Sequence, residues 1–154
     1  MTACSIPRIK GEPPFILAVS GHRKIVSVYL ETIRKQTAKI LLQIGKNSQN
    51  RFSAVDGKGS RPSVIVLSDL AGGADTLVAE EVLKLKRESP ELNVHLAAVL
   101  PMPPVFYQHD FSEGSTRDYF LQLFNDADFR VVLPLLPECQ NCTTNIVRKN
   151  YPAI

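Results

Sequence analysis

The sequence predicts an α/β fold: a Rossmann-like parallel sheet in three layers, with helices on both faces. Four short apolar runs alternate with longer segments in which apolar residues recur every three or four positions. The short runs are typical of strands buried in a parallel sheet, and the longer pattern is typical of amphipathic helices. Since right-handed crossovers join parallel strands, this alternation favours a sheet covered by helices.

The first half of the predicted fold has clear local signals. An apolar run at 15–19 is followed by Ser20-Gly21, and we expect the run to be a strand buried on both faces. A helical pattern extends from 23 to 44, and Gly45 stands where a C-terminal cap is expected. Residues 46–62 are polar and aperiodic, which predicts a long mobile loop.

The second half repeats the same two patterns. Pro134 would interrupt hydrogen bonding between strands, so the last strand is predicted to lie at an edge of the sheet or to end there. The remaining elements are expected at 63–67 (strand), 74–86 (helix), 93–100 (strand), 116–127 (helix) and 130–135 (strand).

The composition excludes several classes of protein. Hydrophobic residues make up 44% of the chain, charged residues 21%, and the net charge is +3. No apolar run approaches the ~20 residues of a membrane span, and the first ten residues lack the apolar stretch of a signal peptide. With three cysteines and no export signal, the expected protein is soluble and cytoplasmic, without a membrane partner.

Three loops follow predicted strands, at the edge where open parallel sheets bind ligands. We call 20–23 the first loop, 68–76 the second and 101–110 the third. In the first loop, Gly21 permits close backbone approach, and Arg23 can bind phosphate or carboxylate through two hydrogen bonds.

The first two loops also have a purely structural interpretation. Ser20 would cap the following helix, His22 would be solvated, and Arg23 would pair with an acidic side chain. In the second loop, Gly72-Gly73 before a helix can bind an anion, whereas Asp75 would repel phosphate and suits a ribose hydroxyl. Alternatively, Asp75 caps that helix and the glycines form a tight turn.

The third loop combines prolines with aromatic side chains. Pro101 and Met102 begin a proline-rich stretch, and Phe106, Tyr107 and Phe111 follow closely. The aromatic rings are suited to covering a base or a sugar, although such residues more often complete the hydrophobic core.

No pattern indicates a metal or a resident cofactor, and neither is expected. Cys139 and Cys142 have the spacing of half a zinc site without a second pair, and Cys4 has no partner at ligand spacing. Glu80 and Glu81 fit a solvated helix face better than an acid/base pair. Walker loops, nucleophile elbows and Gly-x-Gly-x-x-Gly are absent.

Taken in order, the loops resemble those of the SLOG superfamily, Rossmann-like domains related to LOG (lysine-decarboxylase-like) proteins, DprA DNA-processing proteins and nucleotide sensors of bacterial defence systems. The resemblance covers about 14–137 and rests on Gly-His-Arg at 21–23, Ala-Gly-Gly-Ala-Asp at 71–75 and Pro-Met-Pro at 101–103 with Tyr107-x-x-Asp110-Phe111. It implies a pocket for a nucleotide or nucleotide-derived ligand at the carboxyl ends of the strands. The residues expected to line it are Ser20, Gly21, His22, Arg23, Gly72, Gly73, Asp75, Pro101 and Met102.

The resemblance also implies that part of the fold is missing. Related proteins continue into a Trp-Asp-Gly-like turn and a Gly-Gly-Thr phosphate loop, and neither motif occurs in this sequence. We therefore expect a tail at 1–13, a domain at 14–137 that is incomplete at its C-terminal end, and a segment at 138–154 that begins a missing helix. The expected partners are a nucleotide-like small molecule and either a second copy of the chain or a fused effector domain.

Three functions follow from these observations. The favoured one is a module that binds or senses a nucleotide-like ligand. The second is hydrolysis of a nucleotide N-glycosidic bond, with Asp75 or Glu80 as the carboxylate, although the LOG hydrolase motif is absent. The third is DprA-like binding of single-stranded DNA, which the near-neutral charge and the absence of tryptophan disfavour.

Overall fold

The structure is a computed structural model that describes residues 13–53, 62–111 and 114–135. They form a Rossmann-like α/β fold with an all-parallel sheet of four strands and with four α-helices, so the predicted class is confirmed. Most of the predicted tail at 1–13 and all of the segment at 138–154 lie outside the described residues. The strands are β1 (Phe15–Ala18), β2 (Val64–Ser68), β3 (Val94–Leu100) and β4 (Phe129–Val132), and the helices are α1 (Ser27–Ser53), α2 (Ala74–Glu88), α3 (Pro104–Tyr107) and α4 (Ser115–Asp126).

The strands cross the sheet in chain order, β1-β2-β3-β4, and every neighbouring pair is parallel. The register places Val66 of β2 beside Leu17 of β1 and beside Leu96 of β3. Side chains in register on parallel neighbours point to the same face of the sheet. These three residues therefore mark one face, which carries the hydrophobic core.

The helices pack on this same face. Val66 and Leu96 are buried in one cluster with Leu41 of α1, Val82 of α2 and Leu123 of α4. In addition, α1 packs against α2, and α2 against α4. Right-handed crossovers between strands in sequential order all place their helices on one side of a sheet. The helices of the described ranges accordingly form one layer, and the second helical layer that the sequence predicts is not found among these residues.

The two outer strands are β1 and β4. The prediction that β1 is buried on both faces is wrong, since Phe15 is 46% exposed and Ile16 59% exposed. The cause is the strand order, because β1 pairs only with β2 in the described sheet. The prediction that β4 lies at an edge is confirmed.

Helix α1 begins and ends later than predicted. It extends from Ser27 to Ser53, so Gly45 is an interior residue and part of the predicted loop at 46–62 is helical. A Cβ atom at Gly45 would lie 3.3 Å from the Cβ of Leu92, so glycine allows α1 to pack closely against the chain before β3. The rest of the predicted loop, at 54–61, is outside the described residues.

One acidic side chain connects three elements at the start of β4. Asp128 accepts a hydrogen bond of 3.0 Å from the backbone N–H of Leu96 on β3. It also forms an ion pair with Lys86 of α2 and lies 3.4 Å from Nδ1 of His95. Burial raises the pKa of Asp128, but the hydrogen bonds from Lys86 and the Leu96 N–H outweigh it, so the pKa lies below its usual range.

We predict that Asp128→Ala lowers the free energy of unfolding by about 1–3 kcal/mol at pH 7, because the Leu96 N–H loses its acceptor. Urea unfolding measures this loss. The lowered pKa means that the ionised carboxylate stabilises the fold above pH ~4 and that this contribution disappears as the pH falls further. The advantage of the wild type over Asp128→Asn should therefore shrink in acid. Asp126→Ala, at an exposed position, is the control and should change stability by less than about 0.5 kcal/mol.

Candidate functional site

The three loops meet at the carboxyl edge of the sheet, as the sequence predicts. The backbone N–H of Ala74 in the second loop donates a hydrogen bond of 3.1 Å to the carbonyl oxygen of His22 in the first. Nη2 of Arg23 in the first loop lies 3.5 Å from Oδ2 of Asp110 in the third. These two contacts bring the three loops together.

Two glycines make the close approach of the first and second loops possible. A Cβ at Gly21 would lie 2.4 Å from the Cβ of Ala74, and a Cβ at Gly73 would lie 2.2 Å from the carbonyl oxygen of His22. Gly73 has φ +60° and Gly72 has φ +92°, both in the left-handed region. A Cβ at Gly72 would meet no atom within 4 Å. Gly72 is therefore required for backbone conformation alone, whereas Gly73 is required for conformation and for space.

We predict that Gly73→Ala destabilises the protein by roughly 2–5 kcal/mol, from backbone strain together with overpacking against the first loop. Gly72→Ala is the matched control, because it introduces the strain without the overlap and should cost about 1–2 kcal/mol. Urea unfolding of both variants tests the difference. Equal losses would show that the carbonyl of His22 does not restrict the space at Gly73.

Hydrogen bonds between side chains and backbone hold the second loop in place. The hydroxyl of Ser68 donates to the carbonyl oxygen of Asp75 at 3.1 Å and accepts from the N–H of Leu70 at 3.2 Å. Oδ1 of Asp69 accepts from the N–H of Ala71 at 2.9 Å. Leu70 has φ +59°, a strained value for a leucine, and its side chain is buried in the core. These hydrogen bonds thus fix the backbone of the second loop up to the start of α2.

Asp75 is buried in the first turn of α2 without a neutralising contact. It is 4% exposed, and its Oδ1 has no hydrogen-bond partner among the described residues. The N-cap of α2 is Gly73 and no side chain caps the helix, so the interpretation of Asp75 as a cap is wrong. Burial and the charge of Asp69 raise the pKa of Asp75 to about 6, although a hydrogen bond from its own backbone N–H and the charge of Arg23 act in the opposite direction.

Tyr107, at the end of α3, is the second buried polar group at this edge. It is 2% exposed, and its hydroxyl has no hydrogen-bond partner in the described part of the chain. The ring packs edge-on against Phe111 and Phe120. Burial raises the pKa of the Tyr107 hydroxyl, and the charges of Asp69 and Asp75 raise it further. The carboxylates of Asp69 and Asp75 therefore act on the hydroxyl of Tyr107, and the charge of Asp69 acts on Asp75 as well.

The other predicted binding residues differ in exposure. Ser20, His22, Arg23 and Pro101 are exposed, whereas Met102 is buried in the hydrophobic core. Because α1 begins at Ser27, Ser20 does not cap it, contrary to the structural interpretation. The pairing of Arg23 with an acidic side chain is confirmed. The aromatic residues of the third loop complete the core, which was the alternative to their covering a ligand.

Glu80 and Glu81 lie away from these contacts, in a groove of about 270 Å³ between α1, α2 and α4. Arg34 of α1 binds both carboxylates, at 2.5 Å from Glu80 and 2.7 Å from Glu81. Glu80 also accepts a hydrogen bond from Tyr119 of α4. Glu81 is 3% exposed, so the prediction of a solvated helix face is wrong for it, because Arg34 supplies the charge that permits its burial. Of the two candidate catalytic carboxylates, only Asp75 is at the loops.

Comparisons with known proteins add no assignment to this geometry. Neither a scan against protein-family models nor a search of curated proteins finds a match for the chain. Within 13–53, 62–111 and 114–135, no group of three or more histidine, cysteine or acidic residues is arranged to hold a metal ion. The helices in those ranges include none that combines the length and the apolar character needed to cross a membrane. The three cysteines lie outside the described residues.

We predict that Asp75→Asn stabilises the protein at pH 7.5 by up to about 3 kcal/mol and much less at pH 4.5. A folded-state pKa of about 6, above that of the unfolded chain, means that the wild type loses stability as the pH rises from ~4 through ~6. Urea unfolding at the two pH values measures the difference.

The matched control for this prediction is Asp118→Asn, which removes an exposed carboxylate from the first turn of α4. It should lower stability slightly at both pH values, since that carboxylate complements the helix dipole. A gain from Asp75→Asn that is the same at pH 4.5 and pH 7.5 would contradict the assigned cause.

Proposed function

We propose that this chain binds a nucleotide or a nucleotide derivative where its three loops meet, and that it acts as a binding or sensing module. The observation that carries the proposal is the presence of two opposite groups at one edge of the sheet. Arg23 offers an exposed guanidinium, and Asp75 offers a buried carboxylate oxygen without a partner among the described residues. A nucleotide carries a phosphate for the first group and ribose hydroxyls for the second.

The contacts of Arg23 support its role with phosphate. Its side chain is 40% exposed, and its distance of 3.5 Å to Asp110 is long for an ion pair. A guanidinium binds a phosphate through two parallel hydrogen bonds and gains more from a dianion than from one carboxylate. Ligand binding would therefore exchange a weak contact with Asp110 for a stronger one.

The environment of Asp75 supports a role with hydroxyl groups. A carboxylate in the first turn of α2 repels a phosphate at that position and accepts hydrogen bonds from hydroxyls. A hydroxyl donating to Oδ1 would supply the partner that this buried atom lacks among the described residues. The two ends of one ligand would thus be bound by residues of opposite charge.

The charges at the edge also bear on nucleic-acid binding. Three carboxylates, those of Asp69, Asp75 and Asp110, interact with Tyr107 there, against one guanidinium, that of Arg23. Binding of a polyanionic backbone requires an excess of cationic groups. We therefore do not propose that this edge binds single-stranded DNA.

Hydrolysis of an N-glycosidic bond is the second candidate function, and the raised pKa of Asp75 favours it. A carboxyl with a pKa of about 6 exchanges protons near neutral pH, which suits general acid or base catalysis. Incubation with adenosine monophosphate, followed by chromatography for free adenine, distinguishes hydrolysis from binding. Release of adenine that Asp75→Asn abolishes would establish the enzyme.

We predict that Arg23→Ala weakens binding of adenosine monophosphate by about 1.5–3 kcal/mol, the range for hydrogen bonds to charged groups, and leaves adenosine binding almost unchanged. Asp75→Asn should weaken both ligands by similar amounts, because both carry the ribose. Isothermal titration calorimetry of the two variants gives the four values.

Lys24→Ala is the matched control for Arg23→Ala, because it removes a neighbouring exposed cation. It should weaken adenosine monophosphate far less than Arg23→Ala does. If Arg23→Ala weakens the nucleotide and the nucleoside equally, the arginine is structural and does not bind the phosphate.

A further inference from the structure

The carboxyl edge contains two buried polar atoms that lack partners in the described structure, Oδ1 of Asp75 and the hydroxyl of Tyr107. A buried polar group without a hydrogen bond destabilises the fold, so each atom is a place where a hydrogen-bonding group of a ligand would add stability. Both residues follow neighbouring parallel strands at the carboxyl edge of the sheet, and the charge of Asp75 also acts on the hydroxyl of Tyr107.

The two side chains come from neighbouring segments of the fold. Asp75 follows β2 and Tyr107 follows β3, and β2 pairs with β3 along its whole length, up to Ser68 beside Ala98. Since both strands are parallel, their carboxyl ends open onto the same edge of the sheet. Asp75 and Tyr107 are 32 positions apart in the sequence, and the pairing of β2 with β3 brings their loops together.

Packing fixes the ring of Tyr107, and hydrogen bonding fixes the backbone of Asp75. The ring of Tyr107 packs against Phe111 and Phe120, at centroid distances of 5.8 Å and 5.4 Å. The backbone of Asp75 lies in α2, and its carbonyl accepts a hydrogen bond from Ser68. Preorganised polar groups bind a ligand without the entropic cost of ordering them first.

The chemistry of the pair selects the group that it can bind. Oδ1 of Asp75, when ionised, accepts hydrogen bonds, whereas the hydroxyl of Tyr107 needs an acceptor for its own proton. An ammonium group would satisfy Asp75 but has no lone pair for Tyr107, and a phosphate would be repelled by Asp75. A hydroxyl both donates and accepts, and a pair of adjacent hydroxyls can satisfy both side chains at once.

We propose that Asp75 and Tyr107 form a subsite for the adjacent hydroxyls of a ribose, and that Tyr107 makes this edge select ribose over 2-deoxyribose. The 3-hydroxyl donates to Asp75, and the 2-hydroxyl accepts from Tyr107. The inference rests on the proposed function, since it assigns a part of the same ligand to the hydroxyl of Tyr107.

The test compares ligands that differ by one hydroxyl, using isothermal titration calorimetry on the full chain. The probes are ribose 5-phosphate, 2-deoxyribose 5-phosphate, adenosine monophosphate and deoxyadenosine monophosphate. We expect the wild type to prefer each ribose compound by about tenfold, the effect of one hydrogen bond. Tyr107→Phe should reduce that preference to less than about threefold and should leave the affinity for the deoxy compounds unchanged.

Two controls separate binding from folding. Tyr119→Phe removes a hydroxyl that bonds to Glu80 in the groove between the helices, and it should leave the ribose preference unchanged. Urea unfolding without ligand should show that Tyr107→Phe is at least as stable as the wild type, because it removes a hydroxyl without a hydrogen bond in the described structure. A large loss of stability would mean that this hydroxyl has a structural role, and would overturn the inference.

The outcomes distinguish the subsite from the proposed function. Preference for ribose 5-phosphate without binding of either nucleotide would support the subsite and overturn nucleotide binding. Equal binding of the two nucleotides, or a preference that Tyr107→Phe leaves intact, would overturn the subsite and leave nucleotide binding standing. If none of the four probes binds, both proposals are overturned.

Discussion

The carbonyl oxygen of His22 accepts the N–H of Ala74, and this backbone hydrogen bond holds the first loop against the start of α2. It forms only because no Cβ stands at Gly21 or Gly73, where one would overlap atoms of the opposite loop. Arg23 is the residue after His22, and Asp75 is the residue after Ala74. The relative positions of the two groups that the proposed ligand needs are therefore set by backbone packing.

Helix α2 contains two buried carboxylates, and the contrast between them shows which one is structural. Glu81 is neutralised by the guanidinium of Arg34 at 2.7 Å, and the pair connects α1 to α2. Asp75 is equally buried but has no ion pair in the described structure, and its nearest charge effects come from Asp69 and Arg23. Glu81 is thus buried together with a cation, whereas Asp75 is buried at the loops without an ion pair in the described structure. An unmatched group is costly for folding and is useful for binding.

Much of this arrangement follows from the sequence, and the remainder depends on packing that no local pattern encodes. The predicted strands and α2 lie within a few residues of the observed ones, because hydrophobic periodicity is a local property. The interior position of Gly45 depends on its contact with Leu92, and the exposure of β1 depends on strand order. The presence of Asp75 at this edge is predictable from the sequence, because it follows a predicted strand. The role proposed for Tyr107 is not predictable from the sequence, because it rests on a buried hydroxyl without a hydrogen-bond partner among the described residues.

The sequential order of the strands also bears on how the chain folds. In the described sheet, each strand after β1 pairs with the one that precedes it in the sequence, so each pairing closes a single β-α-β loop and none of these strands must insert between earlier ones. Folding can then proceed unit by unit from the N-terminal side as the chain is synthesised. The contact between His22 and Ala74 needs only β1, β2 and the start of α2, so Arg23 and Asp75 are in position before β4 exists. This part of the proposed site would form early, and the edge of the sheet farthest from β1 would form last.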